Sequence, residues 1–516
     1  MGNLKFCNEE GKKIPKRIYF NIGQDQNNTF ETFNDKKTRI KLEFTIERIQ
    51  KYCKYSIAAN FSDKKNEIFN TETATCNNST YTFHTCYICD YYFERNQNLI
   101  ICLKKDSFIE GTITVSLAKI ITSPQSCFKT LIGNSSYITI TAQGISNSNS
   151  YIEFDFKVSS SVDFTKSNNL ISYLISSTRK IYSSGSISWF GTFDKIKIPT
   201  SLLENGFTIT FYDAFQEVIL YKNESIQSFT QYNPNKIYAV LNFRNNFINI
   251  YNKSTLIKNV NFIDYIKNGV TIKLTIGIDY SLTNQPPNDP LSLHFLGANM
   301  NDYEQAINAC GMIVAYYDYN QMFPVYGFGA VLNGENYPNM CFNVNMKQNP
   351  EIYTIPNVIE EYRESFNYLK LSNPSKFSPI IKRVIATIKM ENDPLKYHIL
   401  LLLTDGVIDD MAETVDTLVE GSFLPLSVII IGIGNYSFKE MIDLDGDYHP
   451  LVNSKGIKRM RDLVQFVPFN KYKYDPNELA AKVLEEVPRK VIEFYAMNKI
   501  DPDNLQQAVI NSSAFN

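Results

Sequence analysis

The sequence predicts a multidomain chain, with two antiparallel β-sandwiches followed by a doubly wound, Rossmann-like α/β domain. Three observations predict it. The chain has 516 residues, enough for about three domains at ~150 residues each. Up to about residue 255, short β-prone runs alternate with Asn/Ser/Gly clusters and no long helical period occurs. From about residue 262, strand-like runs alternate with helix-like ones. The wealth of aromatics, Tyr 33 and Phe 35 against the single Trp189, fits strands, where such side chains pack well.

The β-prone runs come in chain order. Ile40–Ile46, Leu99–Leu103 and Gly111–Leu117 fall in a first module, expected over 1–130. Tyr137–Thr141, Tyr151–Phe156, Phe207–Phe211 and Ile237–Phe243 fall in a second, expected over 131–255. Short strands punctuated by turn residues read as sandwiches. In the third module, expected over 256–500 with a tail at 501–516, Val270–Ile278 and Met322–Phe328 read as strands. Tyr303–Tyr317, Val358–Leu369 and Ile380–Met390 read as helices. Tyr397–Leu403 and Leu426–Ile433 are continuously apolar, as parallel strands covered on both faces must be. Leu463–Phe466 is a last strand, and Pro476–Tyr495 a last helix kinked at Pro488. Such folds bind ligands at the carboxyl ends of their strands.

The net charge of −2 argues against nucleic acid as a partner of the whole chain. It averages unlike parts, +5 over 1–130, +2 over 131–255 and −9 over 256–516. No run approaches the ~20 apolar residues of a membrane-spanning helix. The polar N-terminus has no signal-peptide core, which leads us to expect a cytoplasmic chain with reduced thiols. Cys86 and Cys89, with His84 and Cys76 nearby, invite a zinc reading. Residues i and i+3 of a strand point to opposite faces, however, and buried thiols in a β core are the expectation.

Two strand ends carry chemistry. One reads Asp279-Tyr280-Ser281-Leu282-Thr283, a carboxylate followed by hydroxyls at spacings of two and four. The other reads Thr404-Asp405-Gly406, a second carboxylate delivered into a turn. Between them, Ser375 lies in a loop that leads into a helix. Carboxylates and hydroxyls without His or Cys suit a hard cation, Mg²⁺, Mn²⁺ or Ca²⁺. Neutral hydroxyls leave such an ion under-neutralised, so an open position attracts a carboxylate from an acidic protein partner. The pattern D-x-S-x-T with a D-G resembles the metal-ion-dependent adhesion site of von Willebrand factor A domains.

The resemblance becomes specific in Met322–Ala330, Leu401–Ala412, Leu424–Asn435, Asp462–Phe469 and Asn261–Ile266, which look like copine signatures. Copines carry two C2 domains followed by a von Willebrand A-type domain. The resemblance implies that Asp279, Ser281, Thr283, Ser375 and Asp405 form the metal site, with serine where the family usually has threonine. It also implies a non-catalytic protein that binds phospholipid in signalling or membrane trafficking.

The C2 loops depart from the family pattern of several aspartates. The first module has Arg48–Tyr55 in place of one loop, and only Asp106 beside Lys104 and Lys105 in the other. The second keeps Asp163 and Asp213. Ca²⁺ wants about six to eight oxygens, several of them charged. We therefore expect no calcium site in the first module and at most a weak one at Asp163 and Asp213. Lys36, Lys37, Arg39, Lys41, Lys51, Lys54, Lys104 and Lys105 are candidates to meet an anionic phospholipid membrane; an ordinary solvated face reads equally well. Gly2 and Cys7 are lipidation candidates, although Phe6 departs from the acceptor pattern M-G-x-x-x-[ST]. The expected location is cytoplasmic, peripheral to the plasma membrane or endomembranes. The competing readings are a protein scaffold whose sandwiches no longer touch lipid, and a metal-dependent phosphotransferase using Asp279 and Asp405. Against the latter, no nucleotide-binding or hydrolase motif occurs, and the histidines look scattered.

Overall fold

The computed structural model describes residues 37–505, apart from 65–66, 146–149, 161–169, 178–179, 185, 189–190, 204, 214, 216, 244–245, 258–259 and 447–448. Gly2, Cys7, Lys36, Asp163 and Trp189 lie outside the described residues. The chain divides into two compact units: residues up to Gly144 together with Asn261 onward, and Ile145–Val260.

The first unit opens with a sandwich. Strand Thr38–Glu47 buries every second side chain, Ile40, Leu42, Phe44 and Ile46. It is flanked by Ser136–Gly144 on one side and by Thr80–Thr82 and Tyr87–Tyr91 on the other. The opposing sheet is built on Lys54–Phe61 and Asn98–Lys105, which bury Ile57, Ala59, Leu99, Ile101 and Leu103 with the same period of two. Strand Ser136–Gly144 thus belongs to the first sandwich, not to a module starting at 131. Its register with Thr38–Glu47, Phe44 opposite Ile140, puts both apolar sets on one face. The first sandwich therefore ends at Gly144.

Ile145–Val260 forms a second antiparallel body. Its core is aromatic: Phe154, Phe156, Tyr173, Phe207, Phe211 and Phe229 pack with ring centroids mostly 5–6 Å apart.

From Phe262 the first unit continues as an α/β domain. Asn261 caps helix Phe262–Lys267 and exchanges hydrogen bonds with Asp264. Phe93 of the sandwich packs against Phe262 and Tyr317 here. Five parallel strands lie in the order Met322–Phe328, Thr271–Asp279, Lys396–Thr404, Leu426–Gly432, Val464–Pro468. Helices Ser378–Glu391, Met411–Gly421 and Lys439–Asp445 pack one core with the sheet. The chain runs from Thr271–Asp279 to Met322–Phe328 on one side, then crosses to Lys396–Thr404 on the other. Such a reversal opens a crevice at the strand ends, here between the ends of Thr271–Asp279 and Lys396–Thr404.

Three expected elements end differently. The expected helix 358–369 is Ile355–Ser365, and Leu369–Leu371 instead pairs with Ala330–Leu332. The last helix is two, Pro476–Leu484 and Val487–Met497; Pro488 sits in the first turn of the second, where its missing N–H costs nothing. Beyond 500 the chain is body rather than tail as far as Leu505, which is buried.

Among the described residues, no group of three or more His, Cys, Asp or Glu is placed to hold a metal, at Cys86 and Cys89 or elsewhere. Cys89 in strand Tyr87–Tyr91 and Cys86 just before it are half-buried rather than core thiols, and Cys76 alone of that group is buried. No helix among the described residues is long and apolar enough to cross a membrane.

His398, near the start of its strand, is buried and pushed down to about 3, by burial first and then by Lys396 and Lys273. Glu391 lies 3.7 Å away, and burial outweighs it. The unfolded histidine takes up a proton near 6.5, whereas the folded one stays neutral. This residue's contribution to stability is therefore complete above 6.5 and lost as pH falls toward 3. Within that window it drains away at about 1.4 kcal/mol per pH unit. Urea unfolding of wild type and His398→Leu at pH 7, 6 and 5 is expected to show the gap between them changing at about that rate. A gap independent of pH would contradict it.

Candidate metal centre

Strand Thr271–Asp279 is buried over its C-terminal half and ends by delivering Asp279 with no solvent exposure. The next residues turn sharply because Asp279 Oδ1 accepts the backbone N–H of Ser281 at 2.8 Å. A short 3₁₀ turn, Leu282–Asn284, follows and brings Thr283 Oγ1 to 3.0 Å from Ser281 Oγ. The other carboxylate oxygen, Asp279 Oδ2, accepts Thr404 Oγ1 at 2.7 Å and Ser375 Oγ at 3.3 Å. Asp405 follows Thr404 at the end of the neighbouring strand. Its Oδ1 accepts the Val407 N–H at 3.1 Å, while its Oδ2 is buried with no hydrogen-bond partner.

The structure therefore brings all five residues, Asp279, Ser281, Thr283, Ser375 and Asp405, to one place. Asp279, Ser281, Ser375 and Asp405 are fully buried, whereas Thr283 is exposed and marks the open side. Burial pushes the Asp279 carboxyl well above its ordinary 3.8, and the nearby Asp405 pushes it further. Burial also raises Asp405, against the Thr283 hydroxyl and the Val407 N–H, which favour its charged form. Two neighbouring buried carboxylates, Asp279 and Asp405, the latter with an orphaned oxygen, form a site that favours a positive charge. A hard cation fits this donor set of carboxylates and hydroxyls.

Several residues that hold the centre carry no such signal in the sequence. Thr404 stands in the T-D-G triplet, yet its role shows only in the structure. Asp409 accepts the Ser375 N–H at 2.7 Å, and Asp410 accepts the N–H groups of Phe377 and Ser378, anchoring the helix that starts there. The visible trace is the Asp409-Asp410 pair soon after Asp405. Asn284 donates to Ser281 Oγ and accepts from Tyr303. His294, read as one of several scattered histidines, instead packs beneath the site, its Nε2 2.9 Å from the Asp279 carbonyl oxygen and its Nδ1 2.7 Å from Tyr362 Oη. No local motif marks it. Gly406 has φ +98°, and a Cβ there would sit 2.6 Å from the Phe438 ring, so the turn after Asp405 needs glycine twice over.

The calcium and lipid candidates are placed less coherently. Asp213 closes a turn, its Oδ1 accepting the N–H groups of Phe215 and Glu217. Asp106 Oδ1 accepts the Lys54 N–H at 2.9 Å. The basic residues do not share one surface. Lys37 and Lys41 pair with Asp90 and Glu43, and with Arg39 they lie toward the start of strand Thr38–Glu47. Lys51, Lys54, Lys104 and Lys105 gather at the far end of that ten-residue strand, about 30 Å on.

Residues 292–503 match the family model Copine. The C-terminal half of the chain is similar to the copine family. A relative, Copine-D of Dictyostelium discoideum, is 38% identical over 252 residues, which is 48% of this chain and 47% of that protein. The chain thus spans about half the length of this curated copine. The family match takes in Ser375 and Asp405 and begins just after Thr283. Among solved structures, a manganese-loaded Plasmodium vivax TRAP protein aligns over 42% of this chain and 75% of its own, at 13% identity and TM-score 0.27. The calcium-bound tandem C2 domains of extended-synaptotagmin 2 align over 43% and 98%, at 10% identity and TM-score 0.18. Both are loose likenesses.

Proposed function

We propose that this copine-like chain is a non-catalytic peripheral membrane protein. In this reading its β-sandwiches are C2 domains that meet anionic phospholipid, and its α/β domain is a von Willebrand A-type module that recruits an acidic protein partner through a divalent cation. Asp279 and Asp405, with the hydroxyls of Ser281, Thr283 and Ser375, hold Mg²⁺, Mn²⁺ or Ca²⁺. The observation that carries the reading is the orphaned Asp405 Oδ2 beside the buried Asp279 carboxylate. A bound cation supplies the positive charge that this pair lacks and an open position for a partner's carboxylate. The protein's own groups do the positioning. Thr404 and Ser375 orient Asp279, Asp409 fixes the Ser375 loop, and exposed Thr283 leaves the approach open.

Sedimentation with phosphatidylserine-containing vesicles tests the membrane half. Pelleting of the full chain is expected. No pelleting in either EGTA or Ca²⁺ would contradict it and leave the protein-scaffold reading. The metal half is tested with Mn²⁺ alone, as described in the Discussion.

A further inference from the structure

At the tip where its lysines gather, the first sandwich carries two carboxylates, Asp106 and Glu110, too few for the about six to eight oxygens that calcium takes. That tip consists of loop 48–53 and the two-residue turn at 106–107. Asp106 is spent on the chain itself: its Oδ1 accepts the Lys54 N–H, and its own N–H donates to the Lys54 carbonyl at 2.8 Å. Glu110, the next carboxylate along, accepts the Ser136 hydroxyl at Oε1, while its Oε2 is buried without a hydrogen-bond partner. Asp106 and Ser107 have φ of +46° and +74°, the left-handed pair of a tight hairpin turn. Lys105 Nζ reaches Gln50 Oε1 at 2.5 Å and ties the turn to the loop. The carboxylate thus clamps the two segments together, which is what a shared calcium would otherwise do.

On this clamped tip stand three large apolar side chains in water. Tyr52 is 78% exposed, Phe108 79% and Ile109 66%. They project from the end of a sandwich. Lys51 and Lys54 are exposed among them, and Lys104 and Lys105 lie half-buried just behind. A partner with a fixed surface would need a matching pocket. A fluid bilayer needs none, because acyl chains close around apolar groups while the lysine heads remain among anionic headgroups.

We infer that this tip is a calcium-independent membrane wedge, in which Tyr52, Phe108 and Ile109 enter an anionic bilayer and the four lysines hold its headgroups. The inference rests on the membrane reading above and adds to it the inserting surface and its freedom from calcium.

Flotation of the full chain with phosphatidylcholine vesicles containing phosphatidylserine, in EGTA and in Ca²⁺, is the test. Wild type is expected to bind equally in both. Phe108→Ser/Ile109→Ser is expected to bind about tenfold or more weaker, by the transfer cost of the lost apolar groups. Lys51→Gln/Lys54→Gln should also weaken binding and flatten its salt dependence. Phe108→Trp gives a second readout, with a blue shift of its emission on adding vesicles in EGTA, measured against the single native Trp189. Undiminished binding of the serine variant, or no shift of the new tryptophan on vesicles that wild type binds, overturns the wedge and leaves membrane binding standing. Binding that needs Ca²⁺ overturns the calcium independence. No binding under any condition overturns the membrane reading and the wedge together.

Discussion

Asp279→Asn is expected to leave the metal-free protein at least as stable as wild type while removing its stabilisation by Mg²⁺ or Mn²⁺. Loss of a fully buried, hydrogen-bonded carboxylate usually destabilises. Here two features reverse the sign. Asparagine keeps an acceptor for the Ser281 N–H, and its amide can donate to the Thr404 and Ser375 oxygens that now face Asp279 Oδ2. It also removes one of two mutually repelling buried charges, a repulsion of a few kcal/mol at an effective dielectric near 20. With metal the order inverts. Wild type gains about 2.7 kcal/mol at a hundred times the dissociation constant, whereas the variant lacks the carboxylate that balances the cation. Thermal unfolding of both proteins, with EDTA and with excess Mg²⁺, is the check. A metal-free variant less stable than wild type by more than about 1 kcal/mol would mean that the pair is structural and already balanced.

His294→Phe is expected to cost about 2–4 kcal/mol and to weaken metal binding. The Asp279 carbonyl can only accept, so His294 Nε2 carries the proton and Nδ1 accepts from the Tyr362 hydroxyl. That hydroxyl in turn accepts from Asn301. The ring is fully buried, stacks on Tyr303 with centroids 4.3 Å apart, and burial pushes its pKa down to about 3, so it stays neutral. Phenylalanine keeps the stacking and loses both bonds. The Asp279 carbonyl is left without this donor in a dry site, and the strand end that presents the carboxylate loosens. His294→Gln, which retains a donor, should recover part of both losses. Urea unfolding and Mn²⁺ affinity are the measurements. A cost below about 0.5 kcal/mol, the ordinary range of a neutral substitution, would remove His294 from the support of the site.

What the sequence disclosed follows the range of the interactions. The alternation Ile40, Leu42, Phe44, Ile46 is local, and it located a strand and its buried face. The apolar runs before Asp279 and Asp405 are local too, and they showed that both carboxylates stand at buried strand ends. The misplaced boundary at 130 turned on the pairing of Ser136–Gly144 with Thr38–Glu47, a contact between distant segments with no local mark. The same holds for Leu369, which reads as the end of a helix and instead opens strand Leu369–Leu371, paired with Ala330–Leu332. His294 escapes notice because its partners, Asp279 and Tyr362, come from two other segments. Asp106 is visible as a lone carboxylate. Its use as a clamp on the Lys54 backbone is not, since a side chain bonded to a main chain leaves no pairing pattern. The candidate lysines stand out by charge alone, and the length of one strand divides them.

The central claim is that the two strand-end carboxylates and their three hydroxyl neighbours hold one divalent cation. Calorimetric titration of Mn²⁺ into EDTA-stripped wild type and Asp279→Asn tests it most directly. Wild type is expected to bind one equivalent, and the folded variant to give no binding heat. Equal heats in the two proteins, or none in wild type, would contradict it.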